Sequence, residues 1–379
     1  MPNHFSNQNS LITIPCHWDK EVIWKILSQN SPGRGITVKE VYGVLAKGGP
    51  VGHGRSSKAV VQVTPEDAVA FVRFLHAEGL KFTYLLNAPF HFHQDSEQKR
   101  QLDQYLDWIL GELKPDALMI SSHELMQYVR QIDREVDIHV PTIASVKDTE
   151  GLVKFMDVKP VRLVAHHDVG KIWQNLERLV DFGRKNNVAI ELMTTESCLF
   201  QCPNRERHYE HLARKGASDT PFHLTCNATK FTHPREFLMA GGVIRPEDVS
   251  LYEELGINCF KLTGRSKPST WLPETASAYQ KREYGGNLIR LLGIDPSLRA
   301  EEWLFVNNKA LEGFAANFPR YGSNEEKASY CDAWAIKLYS EGNIRISDGT
   351  QYLIEGQTLS LVGQGGEKIA PIIIKERGR

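Results

Sequence analysis

Eight short apolar runs, separated by stretches of helical spacing, constrain this chain more than any other feature. They lie at residues 11–15, 40–45, 82–88, 117–122, 138–143, 161–166, 189–195 and 259–264. Several are β-branched or aromatic and nearly uninterrupted, as strands buried on both faces of a parallel sheet are. Between them apolar residues recur three and four apart: Ala68, Val69, Val72, Leu75 and Leu80, then Leu102, Tyr105, Leu106 and Ile109. Residues 169–184 and 245–256 repeat the pattern. Thr64 before Pro65 and Glu66, and Arg245 before Pro246, Glu247 and Asp248, mark helix starts. Strands alternating with helices make one parallel sheet, and eight strands close a (β/α)8 barrel. An open doubly wound sheet uses the same alternation and is the runner-up. The reading is therefore an α/β chain: a TIM-like barrel over residues 10–293 and a C-terminal appendage over 294–379. In the appendage, 301–318 and 325–339 read as helices. Residues 344–374 read as short strands turning at Asp348-Gly349, Glu355-Gly356 and 363–366.

Composition narrows the partners. The 379 residues carry 45 basic and 46 acidic side chains, a net charge of −1, so no global field draws nucleic acid. Hydrophobic residues make up 41%, enough to build a core. No apolar run approaches the roughly 18 residues of a membrane span. The opening MPNHFSNQNS lacks the charged-then-apolar order of a signal peptide. A cytoplasmic, reducing setting is the expectation, in which six cysteines are metal ligands or core residues rather than disulfides.

The connection from Thr195 to Cys259 is out of scale for a barrel, and a long βα loop at the C-terminal face is where barrel chemistry is housed. Residues 196–258 hold Cys198, Cys202 and Cys226. Three sulfurs on one loop can converge on one point, and thiolates bind zinc, iron or a cluster. The C-x3-C spacing differs from the C-x2-C of zinc ribbons, and Pro203 after Cys202 is reminiscent of iron–sulfur loops. The bland alternative is three cysteines packed as small hydrophobes. For a fourth ligand the candidates are Cys331, Cys16, which directly follows the first strand, and His53. Cys259 opens its strand, roughly 15 Å from the far end at about 3.3 Å per residue, and reads as core.

Other polar residues cluster at strand ends. Glu191 lies within a buried run, as a base or as the partner of a basic group. Arg265 and Lys267 end the last strand, where they can grip an anion or form a rim salt bridge. Arg205, Arg207, His208 and Tyr209 follow the cysteine pair, to support a cluster, contact substrate or simply face solvent. Glu191, Arg265 and His208 are the catalytic candidates. Asn87, the His91/His93 pair, His166-His167 and the GHGRSS loop with His53 and Arg55 are weaker signals. No Walker, HExxH or GxSxG motif occurs.

The run ELMTTESCLFQCPNRERHY, the later Cys226, then IRPEDVSLYEELGINCFKLTGRSKP and AYQKREYGGNL, resemble the collagenase-like peptidase family U-32. The VYGVL and VPTIASV segments fit as well, and the resemblance covers about residues 10–293. It implies a TIM-like barrel and a [4Fe–4S] cluster on four cysteines. Cys198, Cys202 and Cys226 map onto family ligands, and Tyr330-Cys331 matches a Tyr-Cys pair in one branch. It further implies oxygen-independent hydroxylation, in some relatives with prephenate as oxygen donor, an acid that Arg265 can anchor. The peptidase label is an older attribution. The G-A-L-C motif of the RNA-modifying branch is missing, which with the neutral charge points to a small-molecule substrate. The expected partners are that substrate, a carboxylate oxygen donor, and a related subunit or second copy. Two other readings stand beside the redox enzyme: a metal-dependent peptidase, and a non-catalytic cluster-bearing subunit.

Overall fold

The structure, a computed structural model, describes residues 10–30, 36–46, 49–53, 60–89, 96–213, 220–347 and 350–362. Eight parallel strands form the centre: β1 (Ser10–Pro15), β2 (Ile36–Gly43), β3 (Lys81–Leu86), β4 (Ala117–Ile120), β5 (Asp137–Val140), β6 (Arg162–Val164), β7 (Ala189–Met193) and β8 (Cys259–Lys261). Each pairs with the next, and β8 pairs back onto β1 through Leu11–Cys259, Ile12–Phe260 and Thr13–Lys261. The barrel is closed, as eight alternating units require, and all eight strands lie where the apolar runs place them. The helix Pro65–Ala77 starts as its residues dictate: Thr64 accepts the amide of Asp67 at 3.1 Å, and Pro65 fills the first turn.

The segment after β7 is more ordered than its weak periodicity suggests. It contains the helices Arg205–Ala213, Thr220–Thr232, Arg235–Met239 and Val249–Glu253. Its two ends are pinned side by side at the barrel rim. The Glu196 amide donates to Gly242 O at 2.9 Å and the Ile244 amide to Thr194 O at 2.9 Å, beside a Thr195–Val243 bridge.

Two cores result. One fills the barrel and the layer between strands and helices. The other joins Phe231, Phe237 and Leu238 of the β7 excursion to C-terminal residues such as Trp303, Phe314, Cys331 and Tyr352. The C-terminal elements thus pack onto the excursion rather than standing apart. Arg245 helps to join them: it clamps Asp248 with two nitrogens at 2.7 and 2.8 Å and donates to Asn308 O at 2.9 Å.

One expectation in the appendage is overturned. Residues 301–318 are not one helix. A short helix Ala300–Trp303 runs into β9 (Leu304–Val306), which pairs antiparallel with β10 (Ile344–Ile346). A pairing forty residues away in sequence, burying Leu304 and Val306, outweighs local helical spacing. The helix Asn324–Ser340 forms as read and opens with a capping box between Ser323 and Glu326. β11 (Gln351–Glu355) and β12 (Thr358–Val362) form a hairpin whose turn uses Gly356 at φ 62°. The proposed turns at Asp348-Gly349 and 363–366 lie outside the described residues.

The loop after β6 and the β7 excursion meet backbone to backbone. A Cβ on Gly170 would stand 2.1 Å from Gly241 O, and one on Gly241 would stand 2.2 Å from His167 O. Gly241→Ala is expected to cost about 1–3 kcal/mol through this overpacking. The check is the midpoint of urea unfolding, at an unchanged slope.

Candidate active site

Registered residues on neighbouring parallel strands face the same side, so the pairing fixes what fills the lumen. Thr13 is in register with Glu40 and with Lys261, Tyr42 with Thr83, His139 with Arg162, and Met193 with Lys261. Barrel interiors are ordinarily filled by bulky branched side chains. Here Thr13, Glu40, Thr83, His139, Glu191 and Lys261 are all buried, and Arg162 nearly so. Thr83 donates to Glu40 at 2.7 Å and Thr13 to Glu191 at 2.6 Å. Arg162 Nη1 lies 2.9 Å from Glu40 Oε2 and 3.8 Å from Glu191 Oε1. Burial works against the Arg162 charge, but Glu191 and Glu40 more than offset it, and its pKa rises. Burial and the nearby Arg162 push the His139 pKa well below the usual imidazole value, so that ring is neutral.

Glu191 therefore sits in the lumen as a fully buried carboxylate, and its Oε2 has no hydrogen-bond partner. Sequence reasoning singled out Glu191 and missed Glu40, His139, Arg162 and Lys261. The available signal was a lone ionisable residue inside each of several apolar runs, at positions whose alternation points one way.

Above the lumen, the cysteine loop is organised by the segment after β6. Asp168 Oδ1 accepts the Gln201 amide at 3.1 Å and lies 3.4 Å from Arg205 Nη2. Arg205, itself buried, also donates to Leu199 O at 2.5 Å. Its guanidinium acts on both Cys198 and Cys202. Lys230 donates to Ser197 Oγ at 3.0 Å and acts on Cys198 and Cys226. Cys198 feels Cys226, and Cys226 feels Cys202, so the three half-buried thiols share one electrostatic neighbourhood. Burial, with Glu196 adding, pushes the Cys198 thiol up to about 12, while Arg205 and Lys230 pull it down. Burial also raises Cys226, against the pull of Lys230. Among the described residues no group of three or more His, Cys, Asp or Glu side chains has the geometry of a metal-ion site.

The remaining candidates fall in different places. Cys331 is fully buried in the second core, and the charges acting on it are Lys171, Asp332, Glu236 and Arg235, a different set from those around the loop thiols. Cys16 is buried in the barrel core, and burial raises its pKa. Cys259 is buried beside Arg162, Glu191 and Glu40, as its place at the start of β8 implies. His208 stacks on Phe222 with centroids 4.8 Å apart. His167 bonds the Tyr209 hydroxyl, and His166 Nδ1 accepts the Asp168 amide at 3.2 Å. Arg265 donates to His53 O at 2.9 Å, tying the end of β8 to the loop after β2. Lys267 Nζ lies 3.9 Å from Glu301 Oε1 of the C-terminal part, the rim salt bridge that is one of its two readings. Arg55, His91 and His93 lie outside the described residues.

The fold and site define a closed (β/α)8 barrel whose β7 excursion carries three associated cysteines. The model for Peptidase family U32 matches residues 48–192. An uncharacterized protease of Methanocaldococcus jannaschii, MJ1657, is 24% identical over 295 residues, spanning 76% of this chain and 85% of its own. Over residues 48–192 the chain is similar to peptidase family U32. Among solved structures, the U32 peptidase Mk0906 aligns at 13% identity and a TM-score of 0.42, over 68% of this chain and 93% of its own.

The lumen network yields a direct test. Arg162→Met leaves two buried carboxylates without their cation and is expected to destabilise the fold by about 3–5 kcal/mol. In denaturant titration, adding Glu40→Gln should recover part of that loss, because the two side chains are directly paired.

Proposed function

We propose that this chain is an iron–sulfur-dependent redox enzyme. Cys198, Cys202 and Cys226 would hold a [4Fe–4S] cluster, which would serve the oxygen-independent hydroxylation of a small biosynthetic substrate. One observation carries this reading: three thiols from separate points of one loop share a neighbourhood with two buried cations, Arg205 and Lys230. Thiolates are the donors such a cluster takes. Burial makes the bare thiolates costly, and the two cations supply the compensation that a negatively charged group needs. When bound, a cluster supplies electron transfer or Lewis-acid activation.

The chain's own residues do the rest. Asp168 holds Arg205 and the Gln201 backbone, which would anchor the loop that carries the thiols. Arg265, which donates to the His53 carbonyl just beyond β8, would hold the carboxylate of an oxygen donor. Glu191 supplies a buried carboxylate oxygen beneath the mouth. A reducing cytoplasm would suit six cysteines that form no disulfide among the described residues.

The protease wording of the M. jannaschii relative supports a second reading, hydrolysis by bound water. Anaerobic purification separates the two. The cluster reading expects brown protein with iron and acid-labile sulfide, and each of Cys198→Ala, Cys202→Ala and Cys226→Ala loses most of the iron. Cys331→Ala and Cys16→Ala, assayed in parallel, identify the fourth ligand by whichever loses iron. Colourless wild-type protein containing zinc alone would overturn the cluster reading in favour of hydrolysis.

A further inference from the structure

Lys261 ends β8 inside the lumen, and its burial is out of keeping with its bonding. The residue is 6% exposed, and its Nζ has no hydrogen-bond partner. The Nζ rests on the Tyr42 ring, 3.4 Å from the centroid. The Tyr42 hydroxyl donates to Leu262 O at 2.7 Å, which fixes the ring beneath the amine. A lysine kept only to balance charge would be bonded to a carboxylate, as Arg162 is. Lys261 is not, although Glu191 on the adjacent strand carries an equally buried and unpartnered Oε2. A donor and an acceptor, both buried and both unfilled, face one lumen on neighbouring strands. A buried polar group without a partner carries a desolvation cost that a bound polar ligand would relieve. The position lies on the route to the mouth, since Arg265, four residues on, is close enough to act on the amine.

We infer that Lys261 is a nucleophile that captures a small oxo acid as an imine. The substrate carbonyl would meet the amine, and its carboxylate would face Arg265. The inference stands apart from the cluster, because no step uses iron. The neutral amine attacks the carbonyl carbon, a C–N bond forms, and the carbonyl oxygen takes up a proton to give a carbinolamine. Loss of that oxygen as water leaves the C=N bond. Glu191 Oε2 accepts the proton released from nitrogen and returns one to the departing hydroxyl, and nothing is oxidised or reduced. Burial lowers the Lys261 pKa to about 8; Arg162 and Arg265 add to this, while Glu191 and Glu40 oppose it. At pH 7.5 roughly a quarter of the side chain is then the reactive free amine, against about a thousandth of an ordinary lysine. His139, neutral in the same lumen, leaves this balance unchanged.

The test is reductive trapping on the full-length chain. Glyoxylate and cyanoborohydride are added, with intact mass and peptide mapping as readouts. One equivalent is expected on Lys261, at least tenfold faster than on the average surface lysine, with a rate that rises through pH about 8. Acetaldehyde, which lacks the carboxylate, should label Lys261 more slowly than glyoxylate does. Lys261→Arg keeps the charge and should lose the stoichiometric adduct. If that variant does not fold, the wild-type peptide map decides alone. A Lys261 peptide left unmodified, or modified no faster than surface lysines, overturns the inference.

Discussion

Arg162 sits between two carboxylates inside a closed cylinder, and the rest of the site follows from that placement. A charged lumen is tolerable only where its ions are paired and their remaining lone pairs satisfied. Glu40 receives Arg162 and Thr83, and Glu191 receives Thr13 with Arg162 close by. Side chains from β1, β2, β3, β6 and β7 are thereby cross-linked through the centre as well as along the strand ladders. An open sheet would expose these groups to water and dissolve the network.

β7 links this interior to the chemistry above it. Glu191 points inward, and within seven residues the same strand has passed the pinned rim at Thr194–Glu196 and reached Cys198. The returning end of the excursion is held against it, so the cysteine loop is anchored to the barrel at both ends. Asp168 after β6 and Lys230 within the excursion then set its internal geometry. The second core, shared by the excursion and the C-terminal elements, stiffens the loop from outside.

Much of this was readable from local pattern. Each of the eight strands announces itself as a short apolar run, and Thr64-Pro65 marks a helix start that the structure reproduces atom by atom. Cys198, Cys202 and Cys226 were legible as a group because they share one loop. What local pattern could not give were features decided by distant partners. Leu304–Val306 reads as part of a helix and becomes a strand because Ile344–Ile346 lies beside it. Of the two roles open to Lys267, the approach to Glu301 is decided by how the C-terminal part packs. The position of Cys331 within the second core likewise depends on long-range packing and not on any spacing in the sequence.

The sequence alone determined the order and number of the barrel strands, because periodicity and capping act over a few residues. It also determined which residue types could do chemistry. Only the tertiary structure decided which of them meet. Closure of the barrel turns alternate residues of separate strands toward one axis, and so brings Glu40, Arg162, Glu191 and Lys261 together from four strands spread over more than two hundred residues. Their partnership depends on register and shear, quantities set by the whole sheet at once and by no single segment of it.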